Sequence, residues 1–268
     1  MLKKSSNYFT ADAIASRSGN ARLKKLAAKG ISCPFIQPHL HDHAPAEVKD
    51  MSKQLSYLDS LLLYYLAKDT RADLKGKKRL SKNDAAKIVQ DIFGNLVYLG
   101  SGSTRYTFYA SGSTGTHRIT DGKIYYADSF VVKVCHTLCP VNGWELGIYQ
   151  YAEKHGLEKM LATPLFISST IAVFEAADTR KESVKNMPKG SIRQLAQDAE
   201  KHLDIQDVVH SDGRPVMKNL GVRTTATEDA YETVYYEPIV VDYAEPSRVI
   251  GFDHKHGFKT FEKFLNLG

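Results

Sequence analysis

Four short runs bring together residue types that can bind an anion, hold a cation and move a proton. Leu99-Gly100-Ser101-Gly102-Ser103-Thr104-Arg105 sets two glycines and two serines between apolar stretches, a turn whose backbone can approach a ligand closely and aim N–H groups at phosphate. Val131-Val132-Lys133-Val134 interrupts an apolar strand with a lysine, and a buried ammonium demands an anionic partner. Glu145, in Asn142-Gly-Trp-Glu-Leu, and Glu153 follow it along the chain. His210-Ser211-Asp212 precedes Asn219 by a short loop, and Ile239-Val240-Val241-Asp242 ends an apolar strand in a carboxylate. Oxygen ligands of this kind suit Mg²⁺, which keeps several waters and accepts phosphate oxygens. Each run also has an ordinary reading: a hairpin turn, a snorkelling lysine, a polar turn, a strand end. Their order along the chain carries more information than any one of them.

The elements that position these residues are readable from periodicity. From Ala46, the residues Val48, Met51, Leu55, Leu58, Leu62 and Leu66 step by three and four, predicting an amphipathic helix to about Lys68. Ser81 with Asp84 predicts the start of a second helix, closed by Gly94. From Leu96 the period becomes strand-like through LVYLG, TRYTFYA, KIYYA and FVVKVC, with a hairpin signal at Asp121-Gly122. A helix from Asn142 to His155 follows, then strands PLFIS and TIAVFEA, a helix over 191–203, and short strands near Val208, Leu220–Val222 and Ile239–Val241. The stretch from Cys33 to Pro45, with His39, His41 and His43, reads as a loop; a metal site there is the less favoured reading.

Taken in sequence, glycine turn, strand lysine, helix glutamate, hinge, helix, Asp-bearing loop and strand-end Asp resemble the protein-kinase-like superfamily over residues 95–245. The resemblance implies an α+β, bilobal fold: a helical extension over 1–94, an antiparallel-sheet N-lobe over 95–177 and a reduced helical C-lobe over 178–268. It implies ATP and Mg²⁺ as cofactors. Gly100, Ser101, Gly102, Ser103 and Arg105 then touch phosphate, with Arg105 standing at the family's third glycine position. Lys133 contacts the α- and β-phosphates while pairing with a helix glutamate, for which Glu145 is the first candidate and Glu153 the second. The backbone around Glu175 and Ala176 reads the adenine edge, and Val173 shapes the pocket. Asp212 orients the acceptor hydroxyl, with Asp207 in reserve, and Asn219 and Asp242 hold metal; Lys218 or Arg214 helps neutralise the γ-phosphate. The family's His-Arg-Asp arginine is Ser211 here, and Asn219 comes seven residues after Asp212, two more than the family pattern. With 26 residues after Asp242 and no Ala-Pro-Glu element, the peptide-docking platform is missing or rebuilt, and the N-terminal residues are expected to cover the small second lobe. Compact size and divergent loops resemble phage or mobile-element relatives.

Three functions stay open on these residues: an ATP- and Mg²⁺-dependent phosphotransferase acting first on a protein hydroxyl, a catalytically impaired interaction module, and a nucleotidyltransferase. Composition narrows the setting. The hydrophobic share of 43% and charged share of 25% are those of an ordinary folded protein. The longest apolar run, Leu61–Leu66, is far shorter than a membrane span, and no signal-peptide core is present, so no membrane partner and a cytoplasmic location are expected. Cys33, Cys135 and Cys139 fit a reducing compartment. Residues 1–35 hold seven basic side chains against Asp12 alone, which accounts for the whole net charge of +6. Such an arm offers a contact for nucleic acid or an acidic protein surface.

Overall fold

The computed structural model describes residues 36–68, 80–102, 104–120, 123–136, 141–188, 190–203, 205–227 and 234–243. The basic segment 1–35, the lysine-rich link 69–79, Ser103, the hairpin signal at Asp121-Gly122, Cys139 and the amphipathic piece at 258–265 lie outside them. The elements are β1 (His39–Leu40), α1 (Ala46–Lys68), α2 (Lys82–Phe93), β2 (Leu96–Ser101), β3 (Arg105–Thr120), β4 (Lys123–Cys135), α3 (Val141–Lys154), β5 (Pro164–Ile167), β6 (Ile171–Glu175), α4 (Lys181–Lys185), α5 (Ser191–Leu203), β7 (Leu220–Thr227) and β8 (Val234–Val240). The fold is α+β around an antiparallel sheet ordered β1-β5-β6-β4-β3-β2, with β7 pairing β4 and β8 pairing β7. No helix among the described residues is long and apolar enough to cross a membrane.

Alternation along the strands divides the core in two, because successive side chains point to opposite faces. Phe108, Ala110, Phe130, Val132, Val134 and Val173 face one side, where the predicted stripe of α1 and the Ala85, Val89 and Phe93 stripe of α2 close over them. The other side carries Ala172 and Phe174 against α3, α5 and the β7–β8 hairpin. The leading helices therefore cover the first sheet face and not the second lobe, correcting the expected packing.

Local signals act as anticipated at α2. Ser81 Oγ accepts the Asp84 amide at 3.1 Å, and Gly94, at φ 65°, turns its N–H back to Gln90 O at 2.7 Å. This is the positive φ that favours glycine after a helix. Three other expectations change. The run KIYYA and the run FVVKVC form one strand, because β3 stays paired along it through a register shift between Ser111 and Thr116. His39–Leu40 is a short strand on β5, held by pairing with Ile167 and Phe166. Val208 belongs to a 3-10 turn, Gln206–Val208.

Candidate functional site

Lys133 lies in β4 between Thr107 of β3 and Ala172 of β6, on the face turned toward α3. Its Nζ donates to Glu145 Oε1 at 2.8 Å and to Val241 O at 3.1 Å, and lies 3.6 Å from Asp242 Oδ1. Glu145 comes from the second turn of α3 and is fully buried. Strand, helix and strand end thus converge on one ion cluster, with Lys133 paired to Glu145 as the resemblance implied. Glu153, the second candidate, instead places Oε1 3.3 Å from His41 Nε2.

Arg105 is the fourth member. As the first residue of β3 it turns inward, is 6% exposed, and forks onto both oxygens of Glu145. One guanidinium nitrogen also donates to Asn142 Oδ1 at 3.1 Å and the other to Asp242 Oδ1 at 3.1 Å. Asn142 is itself fixed by donating Nδ2 to Ser168 O at 2.9 Å. The sequence marked Arg105 as a phosphate ligand; in the structure its partners are the Glu145 and Asp242 carboxylates and the Asn142 amide oxygen. Two basic side chains face two carboxyl groups, and this balance suits a cluster that is buried on three sides and open at Asp242. Burial alone would lower the Arg105 pKa, but the Glu145 carboxylate and then Asp242 push it above its usual value. Burial likewise works to raise the Asp242 pKa, yet Lys133 and Arg105 outweigh it and hold the carboxyl below its ordinary value. The Asp242 side chain stays 51% exposed, so it faces both the cluster and solvent.

Tyr243, the next residue along the chain, fixes the direction of Asp242. It is fully buried, donates its hydroxyl to Ala162 O at 2.7 Å and meets Phe174 edge-on at 6.1 Å. Phe174 in turn lies beneath Lys133 Nζ, 4.5 Å from the ring centroid. It is therefore Phe174, not Val173, that borders the lysine; Val173 points into the core under α1 and α2. The tyrosine's pKa is pushed well up, first by burial and then by the nearby Glu145 carboxylate.

The loop before β7 folds back on itself. Val209 bridges Pro215, His210 N donates to Arg214 O at 2.7 Å, and Val216 N donates to Val208 O at 2.8 Å. Residues 208–216 are a tight hairpin with Gly213, at φ 79°, near its tip. Asp212 sits on that tip, exposed, with Oδ2 accepting Arg214 Nε at 2.7 Å. That bond, with the Arg214 amide, holds its carboxyl below the ordinary range. At the base of the hairpin the chain closes on itself: Asn219 Nδ2 donates to Asp207 O at 2.6 Å, and Val241 N donates to Asn219 O at 2.9 Å. Asn219 thus joins Asp207 through its side-chain amide and Val241, the neighbour of Asp242, through its backbone, while the Asp212 carboxylate is held by Arg214. Lys218 adds positive potential at Asp242.

At the hinge, the amides of Glu175, Ala176 and Asp178 already donate to Thr163 O, Ser129 O and Val222 O. The Glu175 carboxylate accepts Thr163 N at 2.7 Å and Thr163 Oγ1 at 2.9 Å, and pairs with the buried Arg223. Neither Arg223 nor Asn142 was marked from the sequence. The available signals were an arginine interrupting a buried strand and an asparagine at a helix start. In the turn, Gly102 N donates to Arg105 O at 3.0 Å, and His136 Nε2 lies 3.3 Å from Gly102 O. Gly100 and Ser101 end β2, where pairing with β3 slips between Tyr98 and Gly100.

No protein-family model and no curated protein matches the chain. Among solved structures, a Rio2 kinase in an ADP/Mg²⁺-phosphoaspartate complex is 12% identical, with 81% of this chain and 80% of that chain covered and a TM-score of 0.29. A second structure of Rio2 kinase is 12% identical, covers 96% of this chain and 76% of that chain, and has a TM-score of 0.33. Both proteins come from Chaetomium thermophilum, so the expected likeness to phage proteins finds no support there.

Proposed function

We propose that the chain is a kinase-like phosphotransferase that uses ATP with Mg²⁺ and acts on a hydroxyl of a protein. One observation carries this reading: Lys133, Glu145 and Asp242, from three separate elements, meet in one cluster whose outer carboxylate faces solvent. A lysine held by a buried glutamate is a fixed cation for phosphate, and a strand-end carboxylate beside it is a fixed metal ligand. Gly100, Ser101, Gly102 and Ser103 supply the phosphate turn, and the segment at 175–178 borders the base. Three of its four amides are committed to carbonyls, so the Ala177 amide, and not those of Glu175 or Ala176, is the donor assigned to the base.

The donor set fits Mg²⁺. Asn219 spends its amide N–H on Asp207 O, which leaves Oδ1 to serve, together with the Asp242 carboxylate, as an oxygen ligand in this reading. When bound, the ion would neutralise charge on the β- and γ-phosphates. Asp207, at the base of the hairpin, is assigned the role first given to Asp212: its carboxylate takes the proton of the acceptor hydroxyl as that oxygen bonds to the γ-phosphorus and ADP leaves. Asp212, tied to Arg214 on the hairpin tip, is left to acceptor contacts.

The experiment is transfer from γ-labelled ATP to a generic protein acceptor or to the chain itself, with Asp207→Asn and Asp212→Asn compared. The expected result is a loss of roughly a hundredfold or more in rate for Asp207→Asn, the scale of a general base, and a few-fold change for Asp212→Asn. Equal loss in both contradicts the assignment. An inactive wild type that still binds nucleotide favours the impaired interaction module, a reading also supported by how fully Asp242 is already paired with cations.

A further inference from the structure

Arg105 is held against α3 by both oxygens of Glu145 and by Asn142 Oδ1. The same guanidinium also extends one nitrogen to Asp242 Oδ1, 3.1 Å away, while Lys133 stands 3.6 Å from that same oxygen. The carboxylate that reaches solvent is therefore charge-neutralised from behind by two buried cations. A bare divalent cation approaching Asp242 meets an oxygen already shared by an arginine and a lysine, with Lys218 adding further positive potential.

Building on the proposed nucleotide site, we propose that Arg105 is a positioning residue that guards Asp242 and makes metal entry depend on nucleotide. Phosphate brings negative charge that draws the cations forward and turns the local balance in favour of the metal ion. Arg105 can release Asp242 and keep its hold on Glu145 and Asn142, so the exchange leaves no buried charge unpaired. Because Gly102 N donates to Arg105 O, the arginine and the phosphate turn shift together.

The test is Mn²⁺ alone, titrated into the full chain and read by the loss of the free-ion paramagnetic signal. Wild type is expected to bind Mn²⁺ weakly and Arg105→Gln to bind it roughly tenfold more tightly, as expected from removing one charge-assisted contact. Adding Asp242→Asn to Arg105→Gln should abolish the gain. Arg105→Lys, which keeps a cation for Glu145 but offers one nitrogen in place of a fork, should fall between, and it serves if Arg105→Gln does not fold. Mn²⁺ affinity unchanged in whichever of these variants folds overturns the inference. This readout needs no nucleotide, so failure of ATP binding would defeat the proposed function and leave the guard to be judged by Mn²⁺.

Discussion

Glu145 is the residue on which the site's charge balance turns, since it is shared by Lys133 and Arg105 and, unlike Asp242, has no exposed surface. Replacing it with Gln leaves two buried cations facing only the half-exposed Asp242. Removing one partner of a buried pair costs about 3–5 kcal/mol, so Glu145→Gln is expected to lower the urea midpoint strongly. A loss under about 1 kcal/mol would mean that the cluster is solvated. Lys133 was legible in the sequence because a lysine in an apolar strand must find an anion, and Glu145 because the resemblance implied a helix glutamate as that anion. The inward turn of Arg105 was not, because the first residue of a strand after a glycine turn can face either way. The sequence marks Asp207 only in reserve to Asp212, because the fold of residues 208–216 into a hairpin is not legible from spacing along the chain.

Helix α1 is fastened to the sheet by one buried carboxylate. Asp59 Oδ1 accepts Thr170 N at 2.7 Å and Thr170 Oγ1 at 2.6 Å, at the turn between β5 and β6. Burial pushes its pKa up from 3.8 to about 6, against the opposing pull of the Thr170 hydrogen bonds. A raised folded-state pKa means that this group's contribution is complete below about 3.8 and is lost as pH rises through about 6. Asp59→Asn should remove that pH dependence and narrow the stability difference between pH 4 and pH 7 by about 2–3 kcal/mol, measured by denaturant melts at both values. An unchanged slope would place the titration elsewhere. At the other end of the site, a Cβ on Gly221 would come within 2.9 Å of Val241 Cγ1 and 3.0 Å of Ala177 Cβ. Gly221→Ala is therefore expected to cost about 1–3 kcal/mol by overpacking and to weaken nucleotide binding by shifting Asp242; unaltered melting and binding would show that the strand yields freely. The amphipathic helices and the capping of α2 were readable because they rest on local spacing. The Asp59 clip was not, because its partner lies 111 residues away.

Across the whole molecule, β4 serves both cores. Its C-terminal half pairs β6 beside Lys133, and its N-terminal end pairs β7, with Lys123, Ile124 and Tyr125 opposite Thr227, Ala226 and Thr225. The long β3–β4 hairpin therefore straps the first sheet to the β7–β8 hairpin that carries Asp242, and the buried Arg223–Glu175 pair fastens the hinge beside it. Tyr125→Pro removes a ladder donor in the middle of this strap. It should speed hydrogen exchange in 123–127 and 220–227 together and leave α5 protected; exchange changing in one strand only would show that the two move independently. The alternation of the sheet was visible in the sequence, but this pairing was not, because the run was divided into two strands. Whether Lys133, Glu145 and Asp242 build a nucleotide–metal site is decided by calorimetric titration of ATP with Mg²⁺ into wild type, Lys133→Ala and Asp242→Asn. Binding to wild type is expected to require the metal and to weaken at least roughly tenfold in each variant. Absence of binding to the wild type, or binding that neither substitution alters, would contradict such a site.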